Sequence, residues 1–419
     1  MRQIISNALK NKNILLFGVT DETATFYEKY REVLEFKGCL TSYSANVRMQ
    51  AMQEYGLETY FYDDFEITED DFIVICNYEY YPSVERRLLL DGYTEYENFV
   101  SSKLAGAILE EKKISVFMGS YSLKQAAAGF DMQPKVKQDF YCEYYSEDEL
   151  LKQYKNKMAE YKHLARMSDV YVVSVCDKNV YEAKVIAEGF LIDSCIKIKV
   201  SDYTFGGYHP QIAGDRDTYS NFLYREKPRL EMPYGMLALA REDANLADFI
   251  LKNTPVKEIL KQVCNTEYYT EEQVKTYFEK ALDNIKRADE AADIKLRAFL
   301  EKECSDTVAY RNLDEWNVKV VKYAVEKIAE KAGIALDSID EQMLQNRIEE
   351  LSGSELPVYP SVLKHLGITG YENKKYKVVT YYQTRYLNFE EYIRWCVEQM
   401  YRISDMDKFL GIERNAYDN

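Results

Sequence analysis

Short apolar runs alternate with amphipathic stretches over the first hundred residues. Ile14-Leu15-Leu16-Phe17, closed by Gly18, is long enough for a buried strand and too short for a helix. Thr25 to Phe36 follows a helical period, with Phe26, Tyr30, Val33 and Leu34 on one face and Gly38 as the stop. A weaker strand follows at Cys39–Tyr43, and a strong one at Phe72–Cys76. Pro82 then opens a helix that runs to Leu90 and ends at Asp91-Gly92-Tyr93. Strands alternating with helices predict βαβ units and a parallel sheet.

The pattern restarts at Lys112. Ile114–Met118 reads as a strand, Gly119-Ser120-Tyr121-Ser122 as a tight turn, and Leu123–Ala128 as the opening of a helix. Val170–Cys176 and Ile196–Val200 are further strands. The rest is helical. Thr270-Glu271-Glu272-Gln273 is a capping box before Val274, Phe278, Ala281, Ile285 and Ala288. A second stripe runs from Leu313 through Trp316 and Val320 to Ile328 and stops at Gly333. Asn388 caps a last helix through Ile393, Val397 and Met400. These readings give an α/β chain in two parts. Residues 1–110 form a Rossmann-like domain. Residues 111–419 form a second α/β domain with a parallel sheet, whose region from about 256 to 419 is helix-rich.

Composition narrows the partners. With 54 Lys plus Arg against 70 Asp plus Glu in 419 residues, the net charge is −16, which opposes a protein that coats nucleic acid through its phosphates. Charged residues at 30% and hydrophobic ones at 47% support a sizeable core rather than disorder. No CxxC pair occurs among the 8 cysteines, so no zinc or thioredoxin-like motif is expected. Several cysteines, Cys76 among them, lie in apolar runs and read as small buried hydrophobes. No signal-peptide core opens the chain, and no apolar run approaches the ~20 residues needed to span a bilayer. A reduced, cytoplasmic protein is expected, with no integral membrane segment and with homo-oligomerisation left open.

The first strand–turn–helix resembles the small Rossmann-like domains attached to bacterial sugar-modifying and methyltransferase proteins. Its turn, Gly18-Val19-Thr20-Asp21-Glu22-Thr23, keeps one glycine and adds two acids where a pyrophosphate wants positive potential. A structural or docking domain is expected there rather than a tight nucleotide site.

The second turn is better suited to chemistry. Strand, glycine, polar turn and helix bring backbone N–H groups and a helix dipole to one point that can hold an anion or an oxyanion. The segment after Val200 reads Phe205-Gly206-Gly207-Tyr208-His209-Pro210 and carries one of only 3 histidines. His163 lies in a Lys- and Tyr-rich helix and reads as solvated. His365, near a helix end, reads as a cap. If both turns follow parallel strands, both lie at the carboxyl edge of a sheet, where such folds collect ligands. Ser120, Tyr121, Ser122 and His209 are then expected to line one pocket.

The Gly119–Ser122 turn and the Phe205–Pro210 loop together are similar to the WcbI family of capsular polysaccharide biosynthesis proteins. Arg241-Glu242, Ala247–Ile250 and Leu356–Val362 are similar to further family segments, so the resemblance spans roughly 112–370. It implies an acetyltransferase that takes its acyl group from acetyl-coenzyme A and decorates a sugar or glycan precursor. It also implies that Gly119, Ser120, Tyr121, Ser122, Lys124, Gly207, Tyr208 and Arg241 bind the coenzyme, that His209, Ser120 and Ser122 carry catalysis, and that no metal takes part. The chain departs from the family pattern at the turn, where Tyr121 and Ser122 stand in place of Cys and Gln. A tyrosine does not replace a thiolate at neutral pH without large pKa tuning. Three routes stay open: Ser120 or Ser122 as nucleophile, direct transfer with His209 as base, or lost chemistry. Two other functions stay open as well. An esterase or deacetylase of the SGNH type would use Ser120 or Ser122 with His209, although the nearest preceding acid, Asp202, lies far from the usual position. A non-catalytic scaffold in a glycan-assembly complex fits the acidic, Tyr-rich chain.

Overall fold

The computed structural model describes residues 1–42, 52–77, 81–146, 155–175, 191–212, 245–246, 249, 252–303, 306–379 and 383–409. The chain forms two compact units. The first comprises Met1–Ser174, Lys178–Ile198 and Ile328–Ser338; the second comprises Val175–Asp177, Lys199–Lys327 and Ile339–Asn419.

In the first unit, helix α1 (Arg2–Asn11) precedes β1 (Asn13–Phe17), α2 (Asp21–Tyr30), β2 (Phe36–Thr41), β3 (Thr59–Phe61), β4 (Asp71–Ile75), α3 (Tyr81–Leu90), β5 (Phe99–Ser101) and α4 (Ser102–Leu109). The strands form one parallel sheet in the order β3-β2-β1-β4-β5. That order and the helices on both faces are those of a Rossmann-like domain. Both faces are covered, so the strands read as continuous apolar runs. Ile14 and Leu16 of β1, with Phe72 and Val74 of β4, pack on one face against Ile5, Leu9, Phe26 and Leu104. Leu15, Phe17, Ile73 and Ile75 pack on the other against Tyr81, Val84 and Leu88.

A second sheet begins past the turn at Glu110–Lys112, with β6 (Lys113–Gly119), α5 (Tyr121–Asp131), α6 (Pro134–Asp139), β7 (Phe140–Ser146), α7 (Lys155–Arg166), β8 (Val170–Val175) and β9 (Ile196–Ser201). Its order is β7-β6-β8-β9, with β6 parallel to both neighbours. Ile114, Val116 and Met118 of β6 belong to the same buried cluster as Ile14 and Leu16, so the two sheets share one core within the first unit.

Three local expectations in the first unit need correction. Helix α2 ends at Tyr30, six residues early, and leaves Val33 exposed. Gly38 is no helix stop; it lies inside β2, where a Cβ would come within 2.7 Å of the Tyr60 ring and 2.8 Å of the Glu58 carbonyl. His163 is buried rather than solvated. Its Nε2 lies 3.1 Å from Glu85 Oε1, and its Nδ1 meets Glu95 and, at 3.0 Å, the Tyr96 hydroxyl.

The second unit is mostly helical: α8 (Val256–Val263), α9 (Glu271–Asp289), α10 (Arg297–Glu303), α11 (Val318–Lys331), α12 (Glu341–Leu351), α13 (Pro360–Leu366) and α14 (Phe389–Phe409), with an antiparallel pair β10 (Tyr376–Val379) and β11 (Thr384–Leu387). The last residues of α11 count with the first unit. Thr270 and Gln273 form the expected capping box at α9, and Asn388 and Glu391 bond reciprocally at the start of α14. The stripe beginning at Leu313 is helical only from Val318; Trp316 is core, but it lies in an extended bridge with Tyr310. His365 sits in the last turn of α13, with Glu267 3.7 Å away and Gly367 in the left-handed conformation ending the helix. Among the described residues no helix is long and apolar enough to cross a membrane.

Candidate functional site

The turn after β6 is built tightly. Ser120 is the N-cap of α5, and its hydroxyl accepts the Leu123 N–H at 3.4 Å. Its own N–H donates to Ser174 Oγ on β8 at 3.3 Å. From β7, the Tyr144 hydroxyl lies 2.9 Å from the Gly119 carbonyl and 2.8 Å from that of Ser120. Three strands therefore fix one turn. Gly119 is required here by packing: a Cβ would sit 2.1 Å from Ser174 Oγ and 2.7 Å from Ser174 Cβ.

The side chains of the turn differ in access. Ser120 and Tyr121 are half-buried, and Ser122 is fully buried inside the first turn of α5. Lys124 lies over the Tyr121 ring, its Nζ 4.9 Å from the centroid, a cation–π contact. The turn thus offers a helix N-terminus, the hydroxyls of two half-buried residues and one nearby ammonium, a combination suited to an anion or a developing oxyanion.

His209 belongs to the second unit. Its loop is held by an aromatic cluster. Phe205 stacks on Tyr310 with centroids 5.0 Å apart, and meets Phe278 edge-on at 5.5 Å. Tyr208 is buried too, and its hydroxyl donates to the Thr307 carbonyl at 3.3 Å and accepts the Ala309 N–H at 3.2 Å. A Cβ on Gly207 would lie 2.8 Å from the Phe205 ring, so that glycine makes room for aromatic packing. No atom lies within 4 Å of a Cβ built on Gly206.

The His209 side chain is fully buried, and desolvation pushes its pKa down to about 3. It is therefore neutral at every ordinary working pH. The Gln211 amide nitrogen stands 3.5 Å from Nδ1, and Nε2 has no hydrogen-bond partner among the described residues. With the amide donating, Nδ1 is the acceptor and Nε2 carries the proton. A half-turn of the amide would place its carbonyl on Nδ1–H and leave Nε2 as a bare lone pair. Gln211 is thus the neighbour placed to select between the two tautomers of His209, a contact that sequence reading missed. Its place two residues after the histidine was the only signal.

Arg241, Asp177 and Cys176 lie outside the described residues, as do Cys304 and most of 247–250. Of the six described cysteines four are buried. Burial pushes the Cys39 thiol up to about 12 and raises that of Cys76. Both are therefore inert thiols. The one group of three metal-capable side chains found among the described residues is Glu85, Glu95 and His163, in the first unit. The carboxylates lie against opposite nitrogens of the ring, and both act to raise its pKa against desolvation.

No protein-family model matches the chain, and no curated protein does. Among solved structures the chain is similar to WcbI, described as a polysaccharide biosynthesis enzyme, in its native form without a disulfide bond between coenzyme A and a cysteine. The TM-score is 0.50 at 13% identity, covering 72% of this chain and 96% of that one. The likeness shows a shared fold.

Proposed function

We propose that this protein takes part in polysaccharide biosynthesis as a coenzyme A-dependent acyltransferase that modifies a sugar hydroxyl. The observation that carries the reading is the likeness in fold to nearly the whole of WcbI, joined to the strand–Gly–Ser–helix turn at Gly119–Ser122. In this reading the backbone N–H groups at the start of α5 stabilise the tetrahedral oxyanion, and Lys124 and Arg241 hold coenzyme phosphates. His209 Nε2 takes the proton of the acceptor hydroxyl. The hydroxyl oxygen bonds to the acyl carbon, the carbon–sulfur bond breaks, and the proton returns to the departing thiolate.

We read the transfer as direct rather than through an acyl-serine. The Ser120 hydroxyl is committed as a cap and Ser122 is buried; His209 is buried as well, but it is neutral and its Nε2 has no hydrogen-bond partner among the described residues. To act as base it needs the Gln211 carbonyl on Nδ1–H. Calorimetric titration of the full chain with coenzyme A tests the reading. A saturable isotherm with a Kd of about 1 mM or tighter is expected. No heat at that concentration, with the protein folded, would leave the SGNH-type esterase or deacetylase and the non-catalytic role in a glycan-assembly complex.

A further inference from the structure

A cavity lies wholly within the second unit, between the 307–311 segment, the start of α11, α12 and the 355–376 region. It measures about 190 Å³. We infer that it is a binding pocket for a single anionic sugar ring, a hydroxylated ring carrying one carboxylate or phosphate.

Charge carries the argument. Arg311 lines the cavity and is more than nine-tenths buried. Its Nη2 lies 2.6 Å from Glu349 and 3.1 Å from Glu355, but its Nε has no hydrogen-bond partner among the described residues. Lys374, one-third exposed beside the cavity, reaches Glu355 at 3.1 Å. Lys377 is buried, with its ammonium 3.7 Å from Glu349 and 3.0 Å from the Ser352 carbonyl. Three cations thus share two carboxylates. A buried guanidinium with an unused N–H is costly unless an acceptor arrives, and an anion supplies both the acceptor and the missing charge.

The rest of the lining selects a sugar rather than a bare ion. Tyr371 and Tyr376 are in the lining, and Gln345 and Glu355 beside them offer partners for hydroxyls. The volume is below the roughly 300–1,000 Å³ of sites for drug-sized ligands, so it suits one ring and excludes a coenzyme or an oligosaccharide. The pocket also touches the histidine loop: Thr307, in its wall, accepts from Tyr208, the neighbour of His209. The inference rests on the proposed function only in taking a sugar as the ligand.

Ligand-observed NMR and calorimetry on the full chain test it, with glucuronate, glucose 1-phosphate, glucose and inorganic phosphate as probes and coenzyme A in parallel. At least one anionic sugar should bind about tenfold or more tightly than glucose and than phosphate. Arg311→Ala removes a buried ion-pair member and is prone to unfold, so Lys374→Met is the decisive variant. It should weaken the anionic sugar about tenfold and leave glucose unchanged. Equal binding of glucose, equal binding of phosphate alone, no binding of either anionic sugar, or undiminished binding in folded Lys374→Met would each overturn the inference. Coenzyme A binding without anionic sugars refutes the pocket alone; anionic sugars binding without coenzyme A refutes the acyltransferase reading and leaves the pocket standing.

Discussion

Replacing His163 by alanine should destabilise the first unit in a pH-dependent way. The imidazole lies between Glu85 and Glu95, packs against Tyr81 with ring centroids 5.3 Å apart, and joins α7 to α3 and to the turn before β5. Both carboxylates, acting against desolvation, raise the pKa of His163 above its ordinary value. Truncation removes the ring's packing and leaves two acids facing a void, with Arg166 only 3.7 Å from Glu95 as remaining compensation. Breaking a buried ion pair costs ~3–5 kcal/mol. The two acids are nearly one-fifth exposed, which lowers the electrostatic part to ~2–3 kcal/mol, with ~1–2 kcal/mol more for lost packing.

The sign follows from linkage. A histidine whose pKa is higher folded than unfolded contributes its full electrostatic stability below the unfolded value of ~6.5 and loses it as pH rises through the folded value. The variant should therefore lose ~3–5 kcal/mol near pH 6, but only the packing part at a pH above the folded value. Urea unfolding followed by far-ultraviolet circular dichroism at both pH values measures this. A cost that is equal at the two pH values, or larger in alkali, would refute the buried imidazolium.

Gly119→Ala should cost ~1–3 kcal/mol, because the new methyl meets Ser174 Cβ at 2.7 Å, and Ser174→Gly should recover part of that loss in a double-mutant cycle. Additive effects would deny the contact. If His209 is the base, kcat/KM for acyl transfer should show no acid limb from a group near pH 6.5, because desolvation holds His209 at about 3. A limb at pH 6–7 that vanishes in His209→Ala would contradict the burial. Gln211→Glu, which fixes the acceptor on Nδ1–H, should raise the pKa of His209, seen as a downfield-shifting imidazole resonance titrating at higher pH than in the wild type.

The central strands β1, β4, β6 and β8 were legible because each is buried on two faces, which writes an unbroken apolar run such as Phe72–Ile75; β3 and β7, only partly buried, and the three-residue β5 write no such run and were missed. Caps were legible for a similar reason, since Thr270 and Gln273 act locally. Gly38 was misread because its need for a bare Cα comes from Tyr60 and Glu58 on the next strand. His163 was misread because the charges of its own helix suggest solvent, while its partners, Glu85 and Glu95, are remote in sequence. The Phe205–Pro210 loop stood out in sequence, but its burial did not, since Phe278, Thr307 and Tyr310 enclose it from distant segments. The pocket inferred for an anionic sugar left no sequence signal at all: Arg311, Glu349, Glu355 and Lys374 converge only in the fold.

Acyl transfer itself is the most direct test of the account. The full chain would be incubated with acetyl-coenzyme A and a panel of sugars and nucleotide sugars, following acetylated product and the intact mass of the protein. The account predicts product formation that falls by about 10² or more in His209→Ala, a much smaller loss in Ser120→Ala, and no acyl-protein adduct. No product with any acceptor, or an acetyl group retained on Ser120, would contradict it.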